Sequence, residues 1–252
     1  SRSDISIPDV QQQLLKALVA TGKPVILLLF NGRPLTLNWE AENVPAILDV
    51  WFGGSETADA VADVIFGDVN PSGKLTMSFP KNVGQVPLYY AAKNTGRPLL
   101  EGRWFEKFRS NYLDVDNDPL YPFGYGLSYT TFEYSPITIS ATEVTAGGSV
   151  TAEVTVTNTG KVAGKESVLL FSTDMYASCT PDVRRLRDFA KVELAPGQTK
   201  TVSFSLSATD LAFVNYYGQW TLEEGDFALS TGSESVMVRC NETVLYSQSN
   251  ID

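Results

Sequence analysis

The residues of this chain that could do acid-base chemistry are carboxylates, because its 252 residues include no histidine. That absence removes Ser-His-Asp and Cys-His nucleophilic catalysis, histidine-bearing zinc sites and the usual proton shuttle near neutral pH. Carboxylates can hydrolyse glycosides when two of them oppose each other across the scissile bond. Glu101 with Glu106, and Glu223 with Glu224, are close in sequence. Closeness along the chain does not make two carboxyl groups face each other, and the plain expectation for each is a solvated surface acid. Asp114, Asp116 and Asp118 have calcium-loop spacing, but Pro119 stands where such a loop needs glycine and Tyr125 where it needs glutamate. Gly67 to Leu75 has the outline of a phosphate loop, yet the glycine spacing is wrong and Leu75 replaces the hydroxyl that would hold magnesium. No metal or cofactor is expected.

A formal net charge of −10 argues against a nucleic-acid partner, since phosphate binding needs clustered cations. The one basic cluster, Arg184, Arg185 and Arg187, reads as a solvated strand edge. The longest apolar stretch, Val25 to Phe30, is far short of the roughly 20 residues of a membrane span, so a soluble chain without a membrane partner is expected. Cys179 and Cys240 exclude a disulfide-rich scaffold and leave a single bridge between them open.

The elements that must position any site fall into two patterns. Val10, Leu14, Leu15, Leu18 and Val19 recur at helical spacing and stop at Gly22 and Pro24. PVILLLF then reads as a buried strand ended by the turn NGRP, and AILDVWF as a second. Gly53-Gly54 precedes a helix that Ser55 is placed to cap, with Ala58, Val61, Ala62 and Ile65 facing inward. KLTMSFP is expected as a third strand with Leu75, Met77 and Phe79 inward. Helix-strand alternation makes this an α/β region with a mostly parallel sheet, in which three strands leave an apolar flank unpaired; the expectation is a partial layer, truncated at its N-terminal side. Residues 81 to 135 hold prolines, glycines and tyrosines without a sustained period, as in a long packed loop. From residue 136 the period becomes two, in SVTAEVTVTNTG, ESVLLFST, TKTVSFSLS, DFALSTG and ESVMVRC. About seven such strands predict a fibronectin III or immunoglobulin-like β-sandwich. The expected domains are therefore 1–135 and 136–252.

The strings GKPVILLLFNGRPL, WFGGSETADAVADVIFGDVNPSGKLTMSFP and PLYPFGYGLSYTTFEYS, in this order, resemble the C-terminal region of glycoside hydrolase family 3, the β-glucosidases and β-xylosidases. VTNTGKVAGKESVLLF, RRLRDFAKVELAPGQTKTVSFSL and DLAFVNYYGQW resemble the fibronectin type III-like module that follows in many of these enzymes. The resemblance implies a retaining, exo-acting enzyme with an Asp nucleophile on a barrel domain and a Glu acid/base on a loop of the α/β sandwich, both ahead of this chain. The N-terminal barrel domain is then the implied partner, a β-glucoside the implied substrate, and a homo-oligomer is left open. The isolated chain is expected to be inactive, and a periplasmic or secreted enzyme is implied. Ser1, Arg2 and Asp4 match the segment beside the acid/base loop, so Arg2 is a candidate to tune that Glu or touch a sugar, against a plain pairing with Asp4. Gly53, Gly54, Asn70, Pro71 and Gly73 match family motifs and are better explained by turns than by chemistry. Trp104, Phe105, Tyr112 and Tyr121 lie in the long loop region; Trp104, Phe105 and Tyr112 are candidates to stack on a sugar ring, with burial in the core as the plainer reading. The competing class is a free-standing carbohydrate-binding or adhesive module.

Overall fold

The computed structural model describes residues 3–99, 103 and 105–247, and packing divides the chain into two units. The first lies within residues 1–69, 74–90 and 97–125, and the second within 70–73, 91–96 and 126–252.

In the first unit, α1 (Asp9–Val19) starts at Pro8, whose carbonyl accepts the N–H groups of Gln11 and Gln12 at 2.9 and 3.0 Å. Asp9 in the first turn and Lys16 in the last complement the helix dipole. The chain leaves through Gly22 at φ 72° and enters β1 (Ile26–Leu29). A short helix, α2 (Asn38–Asn43), which the apolar pattern does not announce, leads to β2 (Ala46–Asp49). β1 and β2 pair in parallel, with Ile26 opposite Ala46 and Leu29 opposite Asp49. α3 (Thr57–Phe66) closes on Gly67, whose φ of 86° is the left-handed stop that glycine adopts without strain.

Three expectations are corrected. Ser55 does not cap α3: the N-cap is Glu56, without a side-chain bond, because the chain turns at Gly54 and the Thr57 hydroxyl donates to the Gly54 carbonyl at 2.6 Å. KLTMSFP is not a sheet strand, because the chain bends at Thr76 and Met77. It bonds at its two ends to the segment 120–125, through Leu75 N–H to Tyr125 O and Phe79 N–H to Tyr121 O, while at its centre the Ser78 hydroxyl accepts the Phe123 N–H. Phe79 is buried there and Leu75 half-buried, but Met77 is 52% exposed. The helical stripes also stay largely uncovered. Val10, Leu14 and Leu18 of α1 are exposed, only Leu15 is buried, and α3 has no buried residue. A ribbon two strands wide spans about 10 Å, no broader than one helix with its side chains. Its core is accordingly small: Ile7, Leu29, Leu37 and Phe79, flanked by Leu27, Leu35, Ile47 and Trp51.

The second unit is all β. Its strands are β3 (Phe132–Tyr134), β4 (Thr138–Ile139), β5 (Glu143–Val144), β6 (Ser149–Asn158), β7 (Gly164–Asp174), β8 (Arg185–Leu194), β9 (Thr199–Ser207), β10 (Phe213–Val214), β11 (Trp220–Leu222), β12 (Gly225–Thr231), β13 (Glu234–Cys240) and β14 (Val244–Tyr246). One sheet runs β5-β13-β12-β7-β8, a second places β6 between β9 and the short β3 and β4, and a third is β10-β11-β14. Alternation explains the core. Val150, Ala152, Val154 and Val156 of β6 face Val202, Phe204 and Leu206 of β9 and Val168, Leu170, Leu229 and Val238 of the other sheet, all buried in one cluster. Asn158, fully buried, closes one end: its side chain donates to the carbonyls of Val162 and Leu194 and accepts from Gly160 N–H and the Thr130 hydroxyl. Asn70 has a comparable task, donating to Ala163 O and accepting from Ser128 and the Tyr129 N–H, so this motif residue is held by backbone and not by chemistry. Cys179 and Cys240 are both free thiols.

Candidate functional site

The site of interest lies in the first unit, at the segment where α1 begins. Ser1 and Arg2 lie outside the described residues, as do Glu101 and Trp104. Asp4 is exposed and shapes the entry to α1: its Oδ1 accepts the Ser6 N–H at 2.9 Å and the Ser6 hydroxyl at 2.6 Å. The next residue, Ile5, is anchored to the β1–α2 loop by the Thr36 N–H donating to its carbonyl. Asp4 borders an open cavity of about 410 Å³ whose wall includes Lys16, Trp39, Glu40, Lys81 and Asn82. Lys16 sits 5.2 Å from the Trp39 ring, and Lys81 is clamped by both oxygens of Asp116 at 2.6 and 2.7 Å. Asp116 is thus committed to an ammonium group, and the backbone carbonyls of Asp116 and Asp118 accept from the Gln85 amide, which makes DVDNDP a loop brace. Burial, with the neighbouring Tyr125 and Glu40, pushes the Tyr121 hydroxyl above its ordinary pKa.

The Tyr112 hydroxyl donates to the Gly84 carbonyl at 3.4 Å, in the 3-10 turn Val83–Gln85 whose first residue lines the cavity. Phe105 and Tyr112 are 42% and 41% exposed, so neither is a core residue, while Tyr121 is half-buried beside Phe79. The other acids separate. Glu106 pairs with Arg109, Glu224 with Arg239, and Glu223 accepts from the N–H and hydroxyl of Ser178, so Glu223 and Glu224, adjacent in sequence, serve different partners.

A second feature escaped the sequence reading. At the carboxyl ends of the two parallel strands, Asn31 Oδ1 and both Asp49 carboxylate oxygens are buried without a hydrogen-bond donor. Burial raises the Asp49 pKa, and the nearby Trp51 N–H, short of a well-formed bond, offsets this only in part. Trp51 itself holds φ 53°, and Gly53 leaves room for the Thr57 side chain, which would lie 2.0 Å from a Cβ there. Open α/β sheets place their sites at this edge. The signal was present as a carboxylate interrupting the apolar run AILDVWF. Three acceptors without a donor form an edge that calls for donors from elsewhere.

Comparison with known proteins bears on where those come from. The profile of the Glycosyl hydrolase family 3 C-terminal domain matches residues 1–129, and that of a fibronectin type III-like domain matches residues 166–235. A periplasmic β-glucosidase of Salmonella typhimurium is 48% identical over 95% of this chain and 31% of its own length. A β-xylosidase of Formosa agariphila is 47% identical over 93% of this chain and 31% of its own. The crystal structure of a β-glucosidase from Listeria innocua in complex with gluconolactone superposes with a TM-score of 0.90 at 40% identity, covering 94% of this chain and 33% of that one; the same enzyme with isofagomine also gives 0.90. The chain thus spans about a third of the length of the relatives it matches. With matched profiles over both units and close likeness from α1 to the last strands, the chain belongs to glycoside hydrolase family 3, carrying that family's C-terminal domain and a fibronectin type III-like domain.

Proposed function

We propose that this chain is the C-terminal portion of a retaining, exo-acting β-glucosidase that removes terminal β-D-glucosyl residues, in the periplasm or outside the cell. The observation that carries the reading is the unsatisfied edge at Asn31 and Asp49, of which Asn31 shares a cavity with the segment that enters α1, in a chain so similar to β-glucosidases. That edge, with the uncovered stripe of α1, fits a layer completed by the rest of the enzyme, including the barrel domain. In the whole enzyme, an Asp of the barrel attacks the anomeric carbon as a Glu just ahead of Ser1 protonates the departing oxygen. The same Glu then withdraws a proton from water to release the sugar with retained configuration. Asp4 acts as a positioning residue: its turn with Ser6 steadies the chain leading back to that Glu. Phe105 and Tyr112 contact the sugar beyond the scissile bond in this reading, which their exposure supports.

The test uses the full-length enzyme and this chain alone, with 4-nitrophenyl β-glucoside and β-xyloside as substrates. The expected result is hydrolysis by the full-length enzyme only, with the β-anomer seen first by NMR. Turnover by this chain alone would contradict the assignment. A larger kcat/KM for the xyloside would move the parent enzyme to the β-xylosidases, a reading that the Formosa agariphila relative supports.

A further inference from the structure

The β-sandwich unit holds a built cavity that the proposed chemistry leaves unused. It measures about 280 Å³ and is walled by Lys93, Asp174, Arg185, Arg187, Phe213 and Trp220. A regular β7–β8 ladder would not shape it in this way. Phe171 is opposite Leu186 while Leu170 is opposite Asp188, so Arg187 is an extra residue in β8, a bulge of the kind that re-aims a side chain. Arg187 is then fixed, with its Nε donating to the Ser172 hydroxyl at 2.6 Å. Asp174 ends β7 and its Oδ1 accepts the Tyr176 N–H at 3.1 Å. Lys93 is tied down by its Nζ donating to the Thr180 carbonyl at 2.9 Å. Among the described residues, none accepts a hydrogen bond from the Arg185 guanidinium. The β10–β11 hairpin completes the wall, and its half-buried Trp220 rests on the sandwich core. At the tip of that hairpin Tyr216 and Tyr217 stand 88% and 82% exposed, their rings edge to face at 5.6 Å. The Asn215 side chain holds the tip in shape by accepting the N–H groups of Tyr217 and Gln219.

From this arrangement we propose that the β-sandwich carries a second saccharide-binding site, which takes one pyranose unit of a β-linked oligosaccharide. The cavity is large enough to take a single sugar ring. It offers fixed donors from arginine and fixed acceptors from a carboxylate, the pair that vicinal hydroxyls bridge, beside an aromatic wall suited to the apolar face of a pyranose. A phosphate ligand is disfavoured by Asp174 in the same wall. The tyrosines of the tip extend the platform for neighbouring units. The site holds substrate chains near the enzyme and takes no part in bond cleavage.

Calorimetry on the full-length enzyme tests this, with the active site saturated by isofagomine and cellotetraose or xylotetraose as the probe. The expected result is one oligosaccharide site that persists under isofagomine and weakens at least fivefold in Arg185→Ala and in Asp174→Asn. These variants should keep kcat/KM for a short aryl glycoside within twofold, which also shows that they fold. Absence of oligosaccharide binding at millimolar concentration under isofagomine overturns the proposal, as does binding that both variants leave unchanged. Failure of isofagomine itself to bind counts against the glycosidase reading and not against this site.

Discussion

The two units solve the problem of burying apolar surface in opposite ways. In the β-sandwich alternate apolar residues of β6, β9 and β12 are driven into one shared cluster, and Val156, Leu194 and Leu229 are fully excluded from solvent. In the first unit the buried cluster among the described residues is Ile7, Leu29, Leu37 and Phe79, while Val10, Leu14, Phe30, Phe52 and Phe66 remain exposed on the surrounding elements. The lesson is that a good local pattern does not by itself bury anything. A period of two in paired strands brings its own partner face, whereas an amphipathic helix needs a sheet wide enough to lie on.

The contrast can be broken most sharply by matched truncations. Leu229→Ala should cost about 3 kcal/mol in denaturant unfolding, as for a large-to-small change in a closed core. Leu14→Ala in the same chain should cost under about 0.5 kcal/mol, as at an exposed site. In the full-length enzyme Leu14→Ala should cost more than in this chain, if the α1 stripe is covered there as proposed. Equal small costs in both settings would remove that part of the argument. A smaller effect separates polar closure from apolar packing within the sandwich: Asn158→Ala leaves the Leu194 and Val162 carbonyls short of a donor and should cost about 2 kcal/mol by thermal unfolding.

A third effect, reduced by the partial exposure of the group, is read from pH. Burial raises Asp174 from 3.8 to about 6, with Glu223 adding to it, while the Tyr176 N–H and Arg187 oppose it. The folded state therefore holds this proton more tightly than the unfolded chain. That contribution to stability is fully present below the unfolded pKa and is lost as pH rises through about 6. Asp174→Asn should then gain on the wild type between those two values and keep a constant advantage at higher pH, measured by unfolding midpoints along a pH series. A difference that does not change with pH would place the effect in hydrogen bonding alone.

Much of the architecture was legible because it rests on periodicity. Strands β6, β7, β9, β12 and β13, the two short parallel strands and both long helices follow from spacing that any reader can count, whereas β8, β10 and β11 do not. The site was less legible. Asp4 could be singled out only through resemblance to a family motif, and α2 with its buried Glu40 carries no pattern that separates it from a loop. KLTMSFP alternates like a strand yet exposes Met77, because the chain bends at Thr76 and Met77 between the residues that bond to 120–125. Asp49 shows the same division: its place in an apolar run is visible in the sequence, but that both its oxygens lack a donor is visible only once β1 and β2 are paired.

Taken alone, then, the amino-acid sequence determined the two long helices, the passage from an α/β to an all-β pattern, the lack of histidine in this chain and the family. Tertiary structure alone decided which apolar stripes are covered, how Glu223 and Glu224 part company, and that a bulge in β8 turns Arg187 toward a cavity with Asp174 and Trp220. The physical reason is range. Backbone preference and side-chain period act over a few neighbouring residues, whereas burial, pairing and the meeting of polar groups depend on residues distant in the chain, and only the packed fold sets those distances.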